Sequence, residues 1–266
     1  MVLSSTWQRR AADAFGPIDS ARSLGGGAWR VTAGGRDLVA KCGPGTADEA
    51  AGLAALGRVQ GSPAVPRVLM TDGDLLVLPW IGPGDRTPVA EARLGRGLAR
   101  LHLAEAPSWG GGSGWIGACP VETTRWGDGP SFYRARISDL ARRCGLERVV
   151  DPVARRLADL APFGSPAIVH GDLWWGNVVW GASDRPWLID PSVHGGHPEE
   201  DLAMLALFGP VPDRVLDAYR AVAPLADGWE ERVPVWQLVP LLVHAVLFGG
   251  SYRSRVVALC RRYGPR

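Results

Sequence analysis

A chain of 266 residues, 46% of them apolar and 21% charged, is long enough to bury a sizeable core or two packed lobes, and it reads as globular. Its 29 basic and 27 acidic residues leave a net charge of +2, too balanced to single out nucleic acid or an anionic membrane as the partner. Cys42, Cys119, Cys144 and Cys260 lie far apart with no C-x-x-C pair, which argues against a zinc cage or a disulfide framework and fits a reduced cytoplasm.

In chain order, Ser5 to Phe15 reads as a short amphipathic helix, and "MVLSSTWQRRAADAFG" lacks the apolar run of a signal peptide. "SARSLGGGAWRVTAGGRDLVAK" alternates β-type runs with glycine turns, predicting three antiparallel strands that end at Lys41. "GTADEAAGLAALGRVQG" is a helix in which Thr46 and Glu49 have capping-box spacing. "VPRVLMTDGDLLVLPWI" then reads as two strands joined by a type I′ turn at Asp72 and Gly73. After "IGPGDRTP" helices dominate: "VAEARLGRGLARLHLAEA" puts Leu94, Leu98 and Leu101 on one face, "GGGSGWIGACP" is a loop, and "SFYRARISDLARRCG" and "DPVARRLADLA" are helical. Short strands at "AIVH", "VVW" and "WLID" interrupt them. Helices resume at "PEEDLAMLALFG", "DRVLDAYRAV", "VWQLVPLLVHAVLFG" and "SYRSRVVALCRRY". Pro234, Gln237, Pro240 and His244 make the most apolar of these a buried helix rather than a membrane span. The arginine-rich pieces "ARRCGLER" and "CRRYGPR" read as solvated helix faces. A β-rich lobe over residues 1–80, with five antiparallel strands and one main helix, thus precedes a larger helical lobe over residues 81–266. The fold class is α+β.

Two features carry chemistry. Lys41 is the only lysine beside 28 arginines, and an ammonium reaches a single phosphate oxygen in a narrow space where a planar guanidinium does not. His170, Gly171, Asp172, Asn177 and, thirteen residues on, Asp190 follow the order and spacing of the protein-kinase catalytic loop and its metal-binding aspartate. With residue usage of a few per cent each, that set arises by chance on the order of once in ten thousand chains of this length. An asparagine oxygen and a carboxylate suit Mg²⁺, and the remaining aspartate is free to take a proton from a hydroxyl. Gly25, Gly26 and Gly27 lie between the first two strands, where backbone amides can approach phosphates. Glu49 has two readings, partner of Lys41 or capping-box residue.

"HGDLWWGN", "LIDPSVHGGHPEEDLAMLALFG", "WQLVPLLVHAVLFGGSY", "EAAGLAAL" and "FYRARI" make the chain resemble the fructosamine kinase (ketosamine 3-kinase) family, within the wider aminoglycoside and choline phosphotransferase group. The resemblance covers nearly the whole chain. It implies a bilobal, protein-kinase-like fold and ATP- and Mg²⁺-dependent phosphorylation of the sugar 3-hydroxyl of ketoamines, the adducts of sugars with amines, which promotes protein deglycation. By the same resemblance Asp172 is the base, Asn177 and Asp190 hold Mg²⁺, Lys41 holds ATP phosphates with Glu49 as its ionic partner, and the backbone at Pro79, Trp80 and Ile81 grips adenine. Its acceptor is a small-molecule or protein-bound ketoamine, with no nucleic acid or membrane partner and a monomer favoured. The chain departs from the family's pattern at Trp175, His194 and Gly195, and at Pro79, where the hinge commonly carries an acid.

Trp174, Trp175, His194 and Glu199 are candidates for the substrate end. For the tryptophans packing around the loop is the alternative, and Glu199 and Asp201 also sit in a helix first turn, where carboxylates favour the dipole. His170 is expected to fix the loop by bonding the backbone. His194 and His197 form an H-x-x-H without a third soft ligand at zinc spacing. His244 and Tyr252 are expected to form core hydrogen bonds. The alternatives are an aminoglycoside, choline or other small-alcohol phosphotransferase on the same machinery, a nucleotide-binding regulator without catalysis, and a metallohydrolase built on His170, Asp172, Asp190, His194 and His197.

Overall fold

The computed structural model describes residues 6–264, so Ser5, the expected start of the first helix, lies outside the described residues. In the first lobe, α1 (Thr6–Phe15), β1 (Ile18–Gly25), β2 (Ala28–Ala33), β3 (Arg36–Cys42), α2 (Thr46–Gly57), β4 (Met70–Asp72) and β5 (Leu75–Pro79) follow one another. The strands form an antiparallel sheet in the order β1-β2-β3-β5-β4. The run "LLVLP" of β5 is apolar on both faces because both are covered. Leu76 and Leu78 meet Ala50 and Leu53 of α2, while Leu75 and Val77 share the opposite face with Val31, Ala33, Leu38 and Ala40, against which Trp7 and Phe15 of α1 pack.

Two local expectations shift. In the β4–β5 hairpin Asp72 pairs with Leu75, so the two-residue turn is Gly73-Asp74. Only Gly73 has positive φ (57°), the pattern of a type II′ rather than a type I′ turn. No capping box forms at α2, because Gly45 in the left-handed region precedes the helix and the Thr46 hydroxyl donates to Gly43 O at 3.2 Å. Glu49 is then left for Lys41.

The second lobe begins with α3 (Pro88–His102), whose Leu94, Leu98 and Leu101 are all fully buried. Leu94 and Leu98 face the lower core, whereas Leu101 meets Leu56 of α2 and Val193, so one helix face seals both lobes. The expected glycine-rich loop contains two-residue strands, too short to leave a pattern in sequence: β6 (Trp109–Gly110), β7 (Trp115–Ile116) and β8 (Cys119–Pro120), followed by β9 (Arg125–Trp126). Next come α4 (Gly129–Arg143), α5 (Glu147–Ala154), α6 (Leu157–Leu160), β10 (Ala167–Val169), the hairpin β11 (Val178–Gly181) and β12 (Arg185–Leu188), and β13 (His194–Gly196). Strands β10, β13, β6 and β9 make a small sheet. Helices α7 (Pro198–Leu205), α8 (Asp213–Arg220), α9 (Trp229–Trp236), α10 (Leu238–Phe248) and α11 (Gly250–Tyr263) complete the chain. The stretch Trp229–Phe248 is long and apolar enough to cross a membrane by length and composition. Here it bends at Gln237, and Val235, Trp236, Leu238, Leu241 and Leu242 belong to the core built on α4 and α11.

The connection between the lobes is strapped to the β11–β12 hairpin. Gly84 N–H donates to Trp180 O at 2.6 Å, and the Arg86 guanidinium lies 4.4 Å from the ring centre of Trp175 and 5.5 Å from that of Trp180, two rings that stack 6.5 Å apart. Arg86 Nε also donates to Glu91 at 2.8 Å. The Thr87 side-chain oxygen accepts the Ala90 N–H at 3.1 Å to cap α3, while its hydroxyl donates to Asp184. A cation held against two rings contributes about 1 kcal/mol. Arg86→Ala is therefore expected to lower unfolding stability by about 1 kcal/mol and Arg86→Lys by less, read from urea denaturation midpoints at constant slope.

Candidate active site

Strand β3 runs one residue past its expected end, to Cys42, and its Lys41 lies opposite Ala28 of β2, which sets the ammonium beside the glycine turn. Lys41 Nζ lies 2.5 Å from Glu49 Oε2 on α2 and 2.9 Å from Asp190 Oδ1 in the other lobe. Burial alone would pull the lysine pKa down, but the charges of Asp190 and Glu49 outweigh it and hold the ammonium above its ordinary value. Burial raises Glu49, with Lys41 opposing and Asp190 adding to the rise. Glu49 is thus the ionic partner of Lys41. The lysine bridges two carboxylates from different lobes.

The segment His170–Asn177 is fixed by hydrogen bonds to buried groups. Asp201, in the first turn of α7, accepts the backbone N–H groups of His170 (2.7 Å) and Gly171 (2.9 Å). His102 Nε2 lies 3.1 Å from the same carboxylate and its Nδ1 2.9 Å from the Tyr219 hydroxyl. Burial pushes Asp201 up, yet the His102 hydrogen bond and the neighbouring imidazoles outweigh it and keep the carboxyl below its usual pKa. His170 is buried with its Nε2 donating to Ile189 O (3.0 Å) and its Nδ1 accepting the Asp172 N–H (3.3 Å). This is the backbone role expected of it, and burial lowers its pKa so that the ring is held neutral. Gly171 has φ +78°, and a Cβ there would strike Ser192 O and the His194 ring.

Asp172 projects from this loop. Burial, then the charge of Asp190, raises its pKa to about 7 against the opposing hydrogen bond from Asn177. Asn177 Nδ2 donates to Asp172 O at 2.8 Å and lies 3.4 Å from Asp172 Oδ2. Asp190, at φ +55°, stands 45% exposed. The strain of a left-handed aspartate costs on the order of 1 kcal/mol and is offset by the pairing with Lys41.

These groups meet in one open cleft of ≈ 1150 Å³, lined among others by Gly25, Gly26, Lys41, Glu49, Asp172, Trp174, Asn177 and Asp190. Gly27 is turned instead against Cys42, whose N–H donates to Gly27 O at 2.9 Å. Pro79, Trp80 and Ile81 follow β5 and are not among the residues lining this cleft. The Trp80 N–H is already taken by Asp37 O at 3.0 Å, and Arg30 lies 4.5 Å over the Trp80 ring. The loop residues Ser113, Trp115, Gly117 and Ala118, read from sequence only as a connection, also line the cleft, and Asp48 of α2 accepts the Gly114 N–H at 3.0 Å.

Of the four substrate candidates Trp174 lines this cleft, and His194 lines a small neighbouring hollow with Gly171 and Asp172. Trp175 is stacked on Trp180 under Arg86, away from the cleft. His194 is buried beneath Gly171, 2.8 Å from Ser192 O, 3.2 Å from Arg136 Nη1 and 2.8 Å from Glu200. Glu199 is buried too, its carboxylate held by Arg232 at 2.6 and 2.9 Å and by Trp236 Nε1 at 2.8 Å. The departures at His194 and Gly195 fall inside β13, with Gly195 against the main chain of Ser108. His197 caps α7 by accepting the Glu199 N–H and stacks on Trp236 at 4.3 Å.

Beside Asp172 a second pocket of ≈ 770 Å³ is walled by Trp174, Met204, Phe208, Val243, His244, Leu247 and Phe248, with Ile116, Gly117 and Ala118 closing it. Rings run in sequence from Trp174 to Phe208 (6.0 Å), His244 (5.8 Å) and Tyr252 (4.8 Å). His244 bonds Pro240 O of its own helix at 2.7 Å, and Tyr252 makes ring contacts instead of the expected core hydrogen bond. Asp172 is the one carboxylate in this wall.

The family model for fructosamine kinase matches residues 44–263. The "Probable ketoamine kinase YniA" of Escherichia coli strain K12 is 34% identical over 263 residues, covering 89% of this chain and 90% of that protein. The crystal structure of a "putative fructosamine-3-kinase" from Thermobifida fusca YX-ER1 superposes with a TM-score of 0.86 at 41% identity over 96% of this chain and 97% of that one. The choline kinase LicA from Streptococcus pneumoniae, at 15% identity and a TM-score of 0.66 over 96% and 98%, shares the protein-kinase-like fold alone. With the family model spanning most of both lobes and Lys41, Asp172, Asn177 and Asp190 converging on one cleft, the chain belongs to the fructosamine kinase family and is an ATP-dependent phosphotransferase acting on hydroxyl groups.

Proposed function

We propose that this enzyme transfers the γ-phosphoryl group of ATP to the sugar 3-hydroxyl of ketoamines, small-molecule or protein-bound, and so promotes deglycation in the cytoplasm, an environment in keeping with its four free thiols. The observation that carries the choice of acceptor is the apolar, ring-lined wall beside Asp172. A polycationic aminoglycoside calls for several carboxylates, and this wall supplies one. A ketoamine presents a neutral sugar and a single amine, which ring faces and aliphatic carbons accommodate. Those ring faces also suit a quaternary ammonium, which makes choline the second acceptor to be tested.

In this reading residues 1–80 hold ATP, with Lys41 on its phosphates, the turn Gly25–Gly27 covering them, and the Pro79–Ile81 backbone beside the base. Because the Trp80 N–H is spent on Asp37, the base meets the remaining backbone groups of that segment. Asn177 and Asp190 fit a hard divalent ion. The Asn177 amide nitrogen is committed to Asp172, leaving its oxygen to ligate, and Asp190 gives one oxygen to Lys41 while standing open to the cleft. Mg²⁺ held there would neutralise phosphate charge. Asp172 accepts a hydrogen bond from the acceptor hydroxyl, orients it, and takes its proton as the new O–P bond forms and ADP leaves.

Asp172→Asn is expected to keep ATP binding by calorimetry but to lose turnover by about a hundredfold or more; near-normal turnover would remove Asp172 from this role. The same substitution tests the burial of that carboxyl. A folded-state pKa of about 7 against 3.8 when free means that the wild type loses stability as pH rises from about 4 to about 7, where only the unfolded chain is ionised. Asp172→Asn should thus gain stability over wild type across that window, by on the order of 2–4 kcal/mol at pH 8, and gain none at pH 3. Equal denaturation midpoints at both pH values would contradict it. On a panel of fructosamines, ribulosamines, aminoglycosides and choline, kcat/KM is expected to be highest for a ketoamine, with phosphorus NMR placing the phosphate at the sugar 3-oxygen. Faster turnover of an aminoglycoside or choline would reassign the acceptor.

A further inference from the structure

Apart from the catalytic cleft, α3, the segment Gly61–Ala64 and the start of β12 enclose a separate pocket that shares no lining residue with the cleft or with the apolar wall. Four arginines line it. Arg93, Arg96 and Arg100 are spaced i, i+3 and i+7, which brings them onto one side of α3, and Arg185 enters from β12. No acid lines the pocket, and none of the four makes an ion pair among the described residues.

The concavity is built by backbone and not by chance side-chain placement. Gly97 of α3 lets Pro63 approach so closely that a Cβ there would stand 2.9 Å from Pro63 N. Arg93 Nη1 donates to the carbonyl oxygens of Ser183 and Asp184, whose φ values of 58° and 56° form the tight turn that delivers Arg185 to the rim. Backbone hydrogen bonds close the base, Ala64 N–H to Pro186 O at 3.2 Å and Leu188 N–H to Ala64 O at 2.7 Å. Four cationic side chains thus converge with no carboxylate among the residues lining the pocket, an arrangement that favours an anionic ligand. The pocket has room for a phosphate group, and planar guanidinium forks match its several oxygens. A carboxylate, with one charge and two oxygens, would leave most of the forks unused.

We propose that this pocket is a binding site for a small phosphate-bearing molecule, distinct from the nucleotide site and held by Arg93, Arg96, Arg100 and Arg185. The probes are inorganic phosphate and pyrophosphate, titrated calorimetrically into enzyme saturated with ADP and Mg²⁺, with ionic strength held constant by sodium chloride. Saturable binding is expected, tighter for pyrophosphate. Arg96→Ala/Arg100→Ala should weaken it by about tenfold or more, since each fork removed leaves phosphate oxygens without charged donors. Arg96→Lys/Arg100→Lys, which keeps charge and removes the forks, should fall between, and guards against a misfolded alanine variant. Arg220→Ala, away from the pocket, should leave binding unchanged, and turnover of the double variants at saturating ATP should match wild type. No saturation by either anion, an equal response to chloride, or undiminished binding in both double variants would overturn the site.

Discussion

One buried carboxylate sets the geometry on which the reacting end of this enzyme depends. Asp201 receives the N–H groups of His170 and Gly171, and the imidazole of His102 and hydroxyl of Tyr219 behind it complete the chain. A carboxylate that accepts two backbone donors and an imidazole is stabilised in its charged form even at 1% exposure. With those two amides fixed, the tight turn at Gly171 follows, and Asp172 is carried to the mouth of the cleft where burial and Asp190 perturb it. The loop's rigidity thus comes from α7 and α3, outside the cleft, and leaves the groups inside it free for ligands.

The two lobes are joined by a small number of specific contacts. Lys41 spans Glu49 and Asp190, Leu101 spans α2 and Val193, and Arg86 ties the connecting segment to Trp175 and Trp180. Each touches the hairpin that carries Asn177 and Asp190 or the segment just after it, so the position of the proposed metal ligands and the position of the upper lobe are set together.

Much of this was legible in sequence where chemistry is local. His170, Asp172 and Asn177 lie on one loop and Asp190 returns by a single hairpin, so spacing alone brings them together. Lys41 stood out because an arginine-rich chain keeps one ammonium. Glu49 was ambiguous because a carboxylate three residues into a helix serves a cap and an ion pair equally well, and only the left-handed Gly45 decides between them. The β4–β5 turn slipped by one residue because Asp72-Gly73 and Gly73-Asp74 both satisfy short-range turn chemistry. His194, Glu199 and Trp175 lie off the main cleft for a common reason: they neighbour the motif in sequence, but β13, α7 and the stacked hairpin place them beneath or beside the loop. The apolar wall was legible only at Trp174, since Phe208 and Phe248 come from separated stretches and each alone reads as core. Arginine-lined concavity between α3 and β12 was hidden, its residues 93, 96, 100 and 185 being gathered only by the close approach at Gly97.

The solitary lysine has a further meaning for an enzyme proposed to act on sugar–amine adducts. Those adducts begin when an unprotonated, accessible amine attacks a reducing sugar. Here the one side-chain amine is 15% exposed, bound by two carboxylates and held protonated above its ordinary pKa, while every other basic side chain that is not histidine is a guanidinium. The side chains of this protein therefore offer reducing sugars no ready amine nucleophile, and the catalyst is built to resist the very damage whose product it is proposed to clear.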